Sequence, residues 1–183
     1  MDGEDFNLIL FADSYKVSHH LQYPKGLTKL KSYFESRGGK FQDVVFFGLQ
    51  YILKKYLSRP ITMAMIDEAE AELELHFGRK DIFNRAGWTY ILEKHGGYLP
   101  IKIKAVPEGS LVPYKNVLFT VESTDENVPW MTNYFETCLV QVWYPMTVCT
   151  SSFMQKKIIK EYMDKTSENN NGLDLKVKDE ICD

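Results

Sequence analysis

Residues 99–122 read LPIKIKAVPEGSLVPYKNVLFTVE, and the period of this stretch decides the fold class. Leu99 to Ala105 alternates apolar with polar residues as a half-buried strand should, and Pro107-Glu108-Gly109 breaks it. Ser110-Leu111-Val112-Pro113 follows, and NVLFTVE, Asn116 to Glu122, is a further strand. Upstream the period is helical. In FFGLQYILKKYL, 46–57, residues Phe47, Gln50, Tyr51, Lys54 and Leu57 fall near helical spacing. Thr62 is placed to cap the next helix, whose buried stripe is Ile66, Ala69, Leu73 and Phe77 and whose other face is acidic at Glu68, Glu70, Glu72 and Glu74. A third helix, Ala86 to Lys94, stops at Gly96-Gly97.

Further out, Tyr23-Pro24-Lys25-Gly26 is a turn, Lys29 to Glu35 a strand, and Arg37-Gly38-Gly39-Lys40 a loop. Phe6 to Leu10 is either a short strand or the start of a helix, since a brief apolar run does not declare its period. Trp130 to Trp143 is long, aromatic and poor in charge, which predicts one helix buried on several sides and kinked or ended by Pro145. An amphipathic helix then resumes from Ser152 to Asp164, with Lys156, Lys157 and Lys160 on its wet face. A polar turn at Glu168–Gly172 precedes a strand from Leu173 to Val177. Helices, then strands, then helices predict an α+β fold with packed helices and mixed or antiparallel strands.

At 183 residues the chain suffices for one domain, which buries roughly 70% of its unfolded surface. The 44% hydrophobic and 14% aromatic content excludes a disordered chain. A net charge of −3 gives no general electrostatic attraction for nucleic acid, whose backbone usually requires a basic face. Three cysteines, Cys138, Cys149 and Cys182, without a C-x-x-C pair suggest neither a disulfide framework nor a zinc site, and fit a reducing compartment. The first residues are acidic where a secretory signal is basic, and no apolar run approaches the roughly 18 residues of a membrane span. A cytoplasmic location without membrane attachment is the expectation.

The chemistry-bearing motifs of phosphate, dinucleotide, zinc-protease and serine-hydrolase sites are absent. Neighbouring side chains diverge on a helix or a strand alike, so His19 and His20 are a poor chelating pair, better read as solvated or singly bonded. Arg37 and Lys40 flank a flexible glycine pair as a phosphate-binding loop requires, yet on residues alone a surface turn with two solvated cations is the plainer reading. Asp13 and Tyr15 share a face if the backbone there is extended, which permits a joint site. On residues alone Tyr15 is an ordinary, partly buried aromatic.

FNLILFADSYKVSHHLQYP, SYFESRGG, FFGLQYILKKYL, GWTYILEKHGGYLPIKIKAVPEG, NVLFTVESTD and ETCLVQVWYPMTVCTSS occur in this order. Together they closely resemble the N-terminal part of the nicotinamide phosphoribosyltransferases, from about Phe6 to about Asp179. The resemblance implies transfer of a phosphoribosyl group from phosphoribosyl pyrophosphate to nicotinamide, giving nicotinamide mononucleotide and pyrophosphate in NAD salvage, with Mg²⁺ and ATP held by ligands outside this chain. It implies a homodimer of type II phosphoribosyltransferase fold with active sites at the subunit interface, where Tyr15 packs on the nicotinamide ring, Asp13 places a carboxylate nearby and Arg37 meets the phosphates. Lys40 carries over only weakly, because the loop is shorter than in some animal members.

The resemblance divides the chain into an N-terminal domain, 1–172, and the divergent start of a barrel, 173–183, most of which is missing. Leu175-Lys176-Val177-Lys178-Asp179 keeps the family's approach to the barrel site, and Glu180-Ile181-Cys182-Asp183 departs from it. No complete set of catalytic residues and no metal ligands are expected in such a chain, which alone should be nearly inactive. The alternatives are a non-catalytic fragment that pairs with a full-length subunit, and a nicotinate phosphoribosyltransferase-like protein, which FADSYK and LVQVWYP match less well.

Overall fold

The structure, a computed structural model, describes residues 6–167. A 3-10 turn at Leu8–Leu10 leads to a short helix α1 (Ser14–Ser18), then to β1 (Lys31–Glu35) and β2 (Asp43–Val45). Next come α2 (Leu49–Ile52), prolonged by a π turn at Leu53–Leu57, α3 (Met63–Phe77) and α4 (Arg85–His95). Strands β3 (Ile101–Ala105), β4 (Leu111–Pro113) and β5 (Val117–Ser123) precede α5 (Met131–Tyr134), α6 (Glu136–Val140) and α7 (Trp143–Ser167).

Both sheets are antiparallel: β1-β5-β3, and the pair β2-β4. In β3 the alternation is real, with Ile101 and Ile103 half-buried and Lys102 and Lys104 exposed. Central β5 buries Leu118, Phe119 and Val121, and Phe34 of β1 stacks on its register partner Phe119 with ring centroids 4.9 Å apart. Cross-strand aromatic pairs of this kind lock register, since a one-residue slip of either strand would turn its own ring to the face opposite its partner's.

An aromatic knot joins α4 to the segment around α5. Trp88 of α4 is fully buried, with ring centroids of Trp130 and Tyr134 at 5.0 Å and 4.9 Å, both edge-on. Thr62 caps α3 by accepting from the Met65 amide, and Ile66 and Ala69 are its buried residues. Gly96 closes α4 at φ +61°, and Gly97 follows at φ +82° where an added Cβ would lie 2.3 Å from the Ile61 carbonyl oxygen. The acidic face of α3 is partly paired: Arg85 bridges Asp67 and Glu70, and Glu68 accepts from Asn7.

Of the two readings open for Phe6 to Leu10 the helical one holds, as a 3-10 turn at Leu8–Leu10. Trp130 to Trp143 is not one helix: Phe135, at φ −90° and ψ 16°, separates α5 from α6. Side-chain bonds explain the break, because Thr132 accepts from the Ser123 amide, Asn133 donates to Tyr23, and the Tyr134 hydroxyl donates to the Ile9 carbonyl at 2.8 Å. Those tertiary anchors outweigh the modest cost of ending a helix one turn early. Pro145 neither kinks nor ends a helix; it is the third residue of α7, in the first turn where no intrahelical N–H is required.

Helix α7 is continuous from there, so no new start occurs at Ser152. It is tied to the body through its first turns, where the Thr150 hydroxyl accepts from the Val45 amide at 2.9 Å. Beyond Ser152 only Met154 and Met163 are less than exposed among residues 152–166. The expected turn at Glu168–Gly172 and strand at Leu173–Val177 lie outside the described residues.

Candidate functional site

The segment Asp13-Ser14-Tyr15-Lys16 follows a firmly rooted turn. Asn7 accepts from the Ile9 amide and donates to the Met65 carbonyl at 2.8 Å, which seats fully buried Ile9 against α3. The chain then leaves the core at Asp13, which has extended backbone angles (φ −66°, ψ 143°), and enters α1. The extended reading of Asp13 and Tyr15 therefore holds for Asp13 only: Tyr15 is the second residue of a helix, and the two do not alternate along a strand.

Three side-chain contacts from two elements, α6 and α3, hold this segment. The Asp13 amide donates to the Thr137 hydroxyl on α6 at 3.0 Å. The Ser14 hydroxyl and His76 Nε2 on α3 lie 2.8 Å apart. The Lys16 ammonium, whose side chain is only 7% exposed, pairs with Glu136 on α6. Burial pulls the Lys16 pKa below the usual lysine range, and the Asp13 carboxylate opposes that shift. Two side chains in the segment stay outward: Asp13 makes no helix-capping bond, and Tyr15 is 55% exposed. The Lys16 ammonium stands 4.8 Å from the Tyr15 ring centroid, and the His19 ring lies 5.3 Å from it.

Lys16 also lines a cleft of about 750 Å³ between β1 and the α5–α7 segment, together with Ser32, Arg37, Asn133, Glu136 and Trp143. Its walls are mixed. Phe119 and Val121 supply apolar floor, while Lys16 and Arg37 supply positive charge beside the Glu35 and Glu136 carboxylates. Arg37 is exposed and forms no ion pair among the described residues. Its loop is pinned at both ends to the turn after β4: the Lys115 amide donates to Ser36 at 2.7 Å and the Tyr114 amide to Gln42 at 2.9 Å. Lys40 points its ammonium at the Phe41 ring, 5.8 Å from the centroid, and does not line the cleft.

The structure thus brings Arg37 and Lys16 to one cleft, while Asp13 and Tyr15 adjoin it through Lys16 and Lys40 stands apart. Lys16, Glu136, Thr137 and His76 were not singled out by sequence reasoning. Nothing in a lone Glu-Thr pair on an aromatic stretch signals a bond to residues more than a hundred positions earlier. His20 is singly bonded, to the Val17 carbonyl at 2.9 Å, and burial lowers the pKa of both His19 and His20. Trp143, read as core, is 51% exposed. Among the described residues no cluster of three or more His, Cys, Asp or Glu side chains could hold a metal ion, and no helix is long and apolar enough to cross a membrane.

Comparison with known proteins bears on the same segments. The sequence model of a family described as "Nicotinamide phosphoribosyltransferase, N-terminal domain" matches residues 7–103. A nicotinamide phosphoribosyltransferase of Xanthomonas campestris is 50% identical over 166 residues, covering 91% of this chain and 35% of that protein. One of Acinetobacter baylyi is 32% identical over 169 residues, covering 84% and 33%. One of Mycoplasma pneumoniae is 27% identical over 182 residues, covering 88% and 40%. The chain spans about a third of the length of the curated relatives it matches. The family model takes in α1, the Arg37 loop and helix α3, and with the 50% identical relative over 91% of the chain it shows that the chain belongs to the nicotinamide phosphoribosyltransferase family.

Proposed function

We propose that this chain supplies one wall of a nicotinamide phosphoribosyltransferase site, formed between two subunits in the cytoplasm, that makes nicotinamide mononucleotide for NAD salvage. The observation that carries the reading is the outward pair Asp13 and Tyr15 on a backbone held by three contacts from α3 and α6, beside a cleft that Arg37 enters. Tyr15 offers a face on which a pyridine ring stacks, a contact of about 1 kcal/mol beyond burial. Asp13 places a carboxylate near that ring, which favours the neutral amide over anionic nicotinate and stabilises positive charge on the ring as the new C–N bond forms. Arg37 offsets charge on the departing pyrophosphate through its guanidinium fork.

Among the described residues no group of three or more His, Cys, Asp or Glu side chains could hold Mg²⁺, whose ligands, with those of ATP, would lie elsewhere in the site. With one wall only, a bound ring gains little that is specific to the transition state. The chain by itself is therefore expected to turn over negligibly, and a second subunit must complete the site.

A complementation assay tests this. The chain is mixed with the full-length Xanthomonas campestris relative in which the residue matching Tyr15 is alanine, and nicotinamide mononucleotide is measured. Restored synthesis that is lost again with Tyr15→Ala in this chain is the expected result. Restoration that survives Tyr15→Ala would refute the assignment, and inhibition of the intact relative would favour the non-catalytic pairing alternative.

A further inference from the structure

We propose that Thr137 and Glu136 are positioning residues, which set where Asp13 and Tyr15 are offered to a ligand. This rests on the reading of Tyr15 as the stacking residue. Helix α1 has five residues, far below the roughly 12 that a helix needs to persist on its own hydrogen bonds. Its orientation must come from tertiary contacts. Two of its three anchors descend from consecutive residues of α6, Glu136 and Thr137.

The anchors do different things. Thr137 accepts the Asp13 amide at 3.0 Å, at the point where the chain changes from extended to helical backbone. That bond fixes the pivot of α1. Glu136 acts one step further along. It holds a nearly buried ammonium that is costly to leave unpaired, and that ammonium lies 4.8 Å from the Tyr15 ring centroid. A cation held against a ring attracts it, so Glu136 orients Tyr15 through Lys16. The His76 contact to Ser14 restrains α1 from the opposite side of the sequence, on α3. The same Glu136 carboxylate lines the cleft entered by Arg37. One short helix therefore registers the ring-binding side chains against the phosphate-binding one.

The test uses Thr137→Val, which keeps the shape and removes the acceptor, Thr137→Ser, which restores it, and Glu136→Gln. In the 183-residue chain, Thr137→Val is expected to speed exchange of the Asp13 amide roughly tenfold, as loss of one hydrogen bond allows. Thr137→Ser should return it to the original rate. In the complementation assay, Thr137→Val and Glu136→Gln should raise KM for nicotinamide roughly fivefold, and in Thr137→Val the KM for phosphoribosyl pyrophosphate should hold.

Unchanged Asp13 exchange in Thr137→Val overturns the proposal, as does a parallel rise in both KM values. Should Thr137→Val not fold, Glu136→Gln decides through the nicotinamide KM. Should Tyr15→Ala leave complementation intact, the functional reading fails, and amide exchange still decides whether α6 sets the pivot of α1.

Discussion

At the scale of single residues, side chains outside the cleft lining show how strongly this protein commits polar groups to local order. Asp125, after β5, accepts from the Asn127 amide at 2.8 Å, the Tyr90 hydroxyl at 3.0 Å and His95 Nε2 at 2.8 Å. The Asn127 amide above all, then His95 and Tyr90, hold its carboxyl well below the usual carboxylate range, against burial that works the other way. A carboxyl depressed on folding contributes stability that is present above its unfolded pKa and is lost as pH falls through the folded value. Melting midpoints of the native chain should therefore drop below about pH 4, and Asp125→Asn should be less stable at neutral pH with a flatter acid limb. An acid limb of equal steepness in both would show that Asp125 is not the source. None of this was legible beforehand, because Asp125, His95 and Tyr90 meet only once α4 and β5 are packed. Arg37 and Tyr15 likewise entered through resemblance, since an exposed arginine by a glycine pair and a lone tyrosine have no distinguishing pattern of their own.

Elements were easier to read wherever a period or a cap is local. The alternation of β3, the Thr62 cap of α3 and the Gly96 stop of α4 lie within a few residues of sequence and appear as expected. The stretch Trp130–Trp143 misled because its breaks are imposed from outside, by β5, by Tyr23 and by the carbonyl of Ile9. Gly48 is a second case of remote control. It precedes α2 at φ +102°, and an added Cβ would stand 2.5 Å from Pro145 Cγ at the start of α7. The α2 amide of Gln50 is meanwhile capped from a distance by Glu108 at 2.8 Å. Gly48→Ala should cost roughly 1–3 kcal/mol by urea unfolding. Gly26→Ala, also at positive φ but with nothing within 4 Å, should cost less. Equal losses would mean that the proline contact is immaterial.

Over the whole molecule, the sheet and the helices share one core. Trp88 touches Trp130, Tyr134 and Phe135 from α4, and Tyr134 reaches back to Ile9 at the root of α1. Trp88→Ala should cost roughly 3–5 kcal/mol. Its denaturation should remain a single transition, with far-ultraviolet circular dichroism and Cys138 labelling tracing the same curve. Burial pushes the Cys138 thiol up to about 12 and leaves it inert until the core opens. Separated transitions would mean two independent units. The α+β class was legible because it depends on the order of periods along the chain, whereas the shape of the cleft depends on which turns of α5, α6 and α7 face β1. Helix α7 itself is grasped near one end, by Val45 through Thr150, and runs on into solvent for most of its length. Mechanically it is a handle: a load applied near Ser167 acts with a long moment arm on the two-stranded ribbon β2-β4, so that ribbon, rather than the central sheet, is where tension would first be felt.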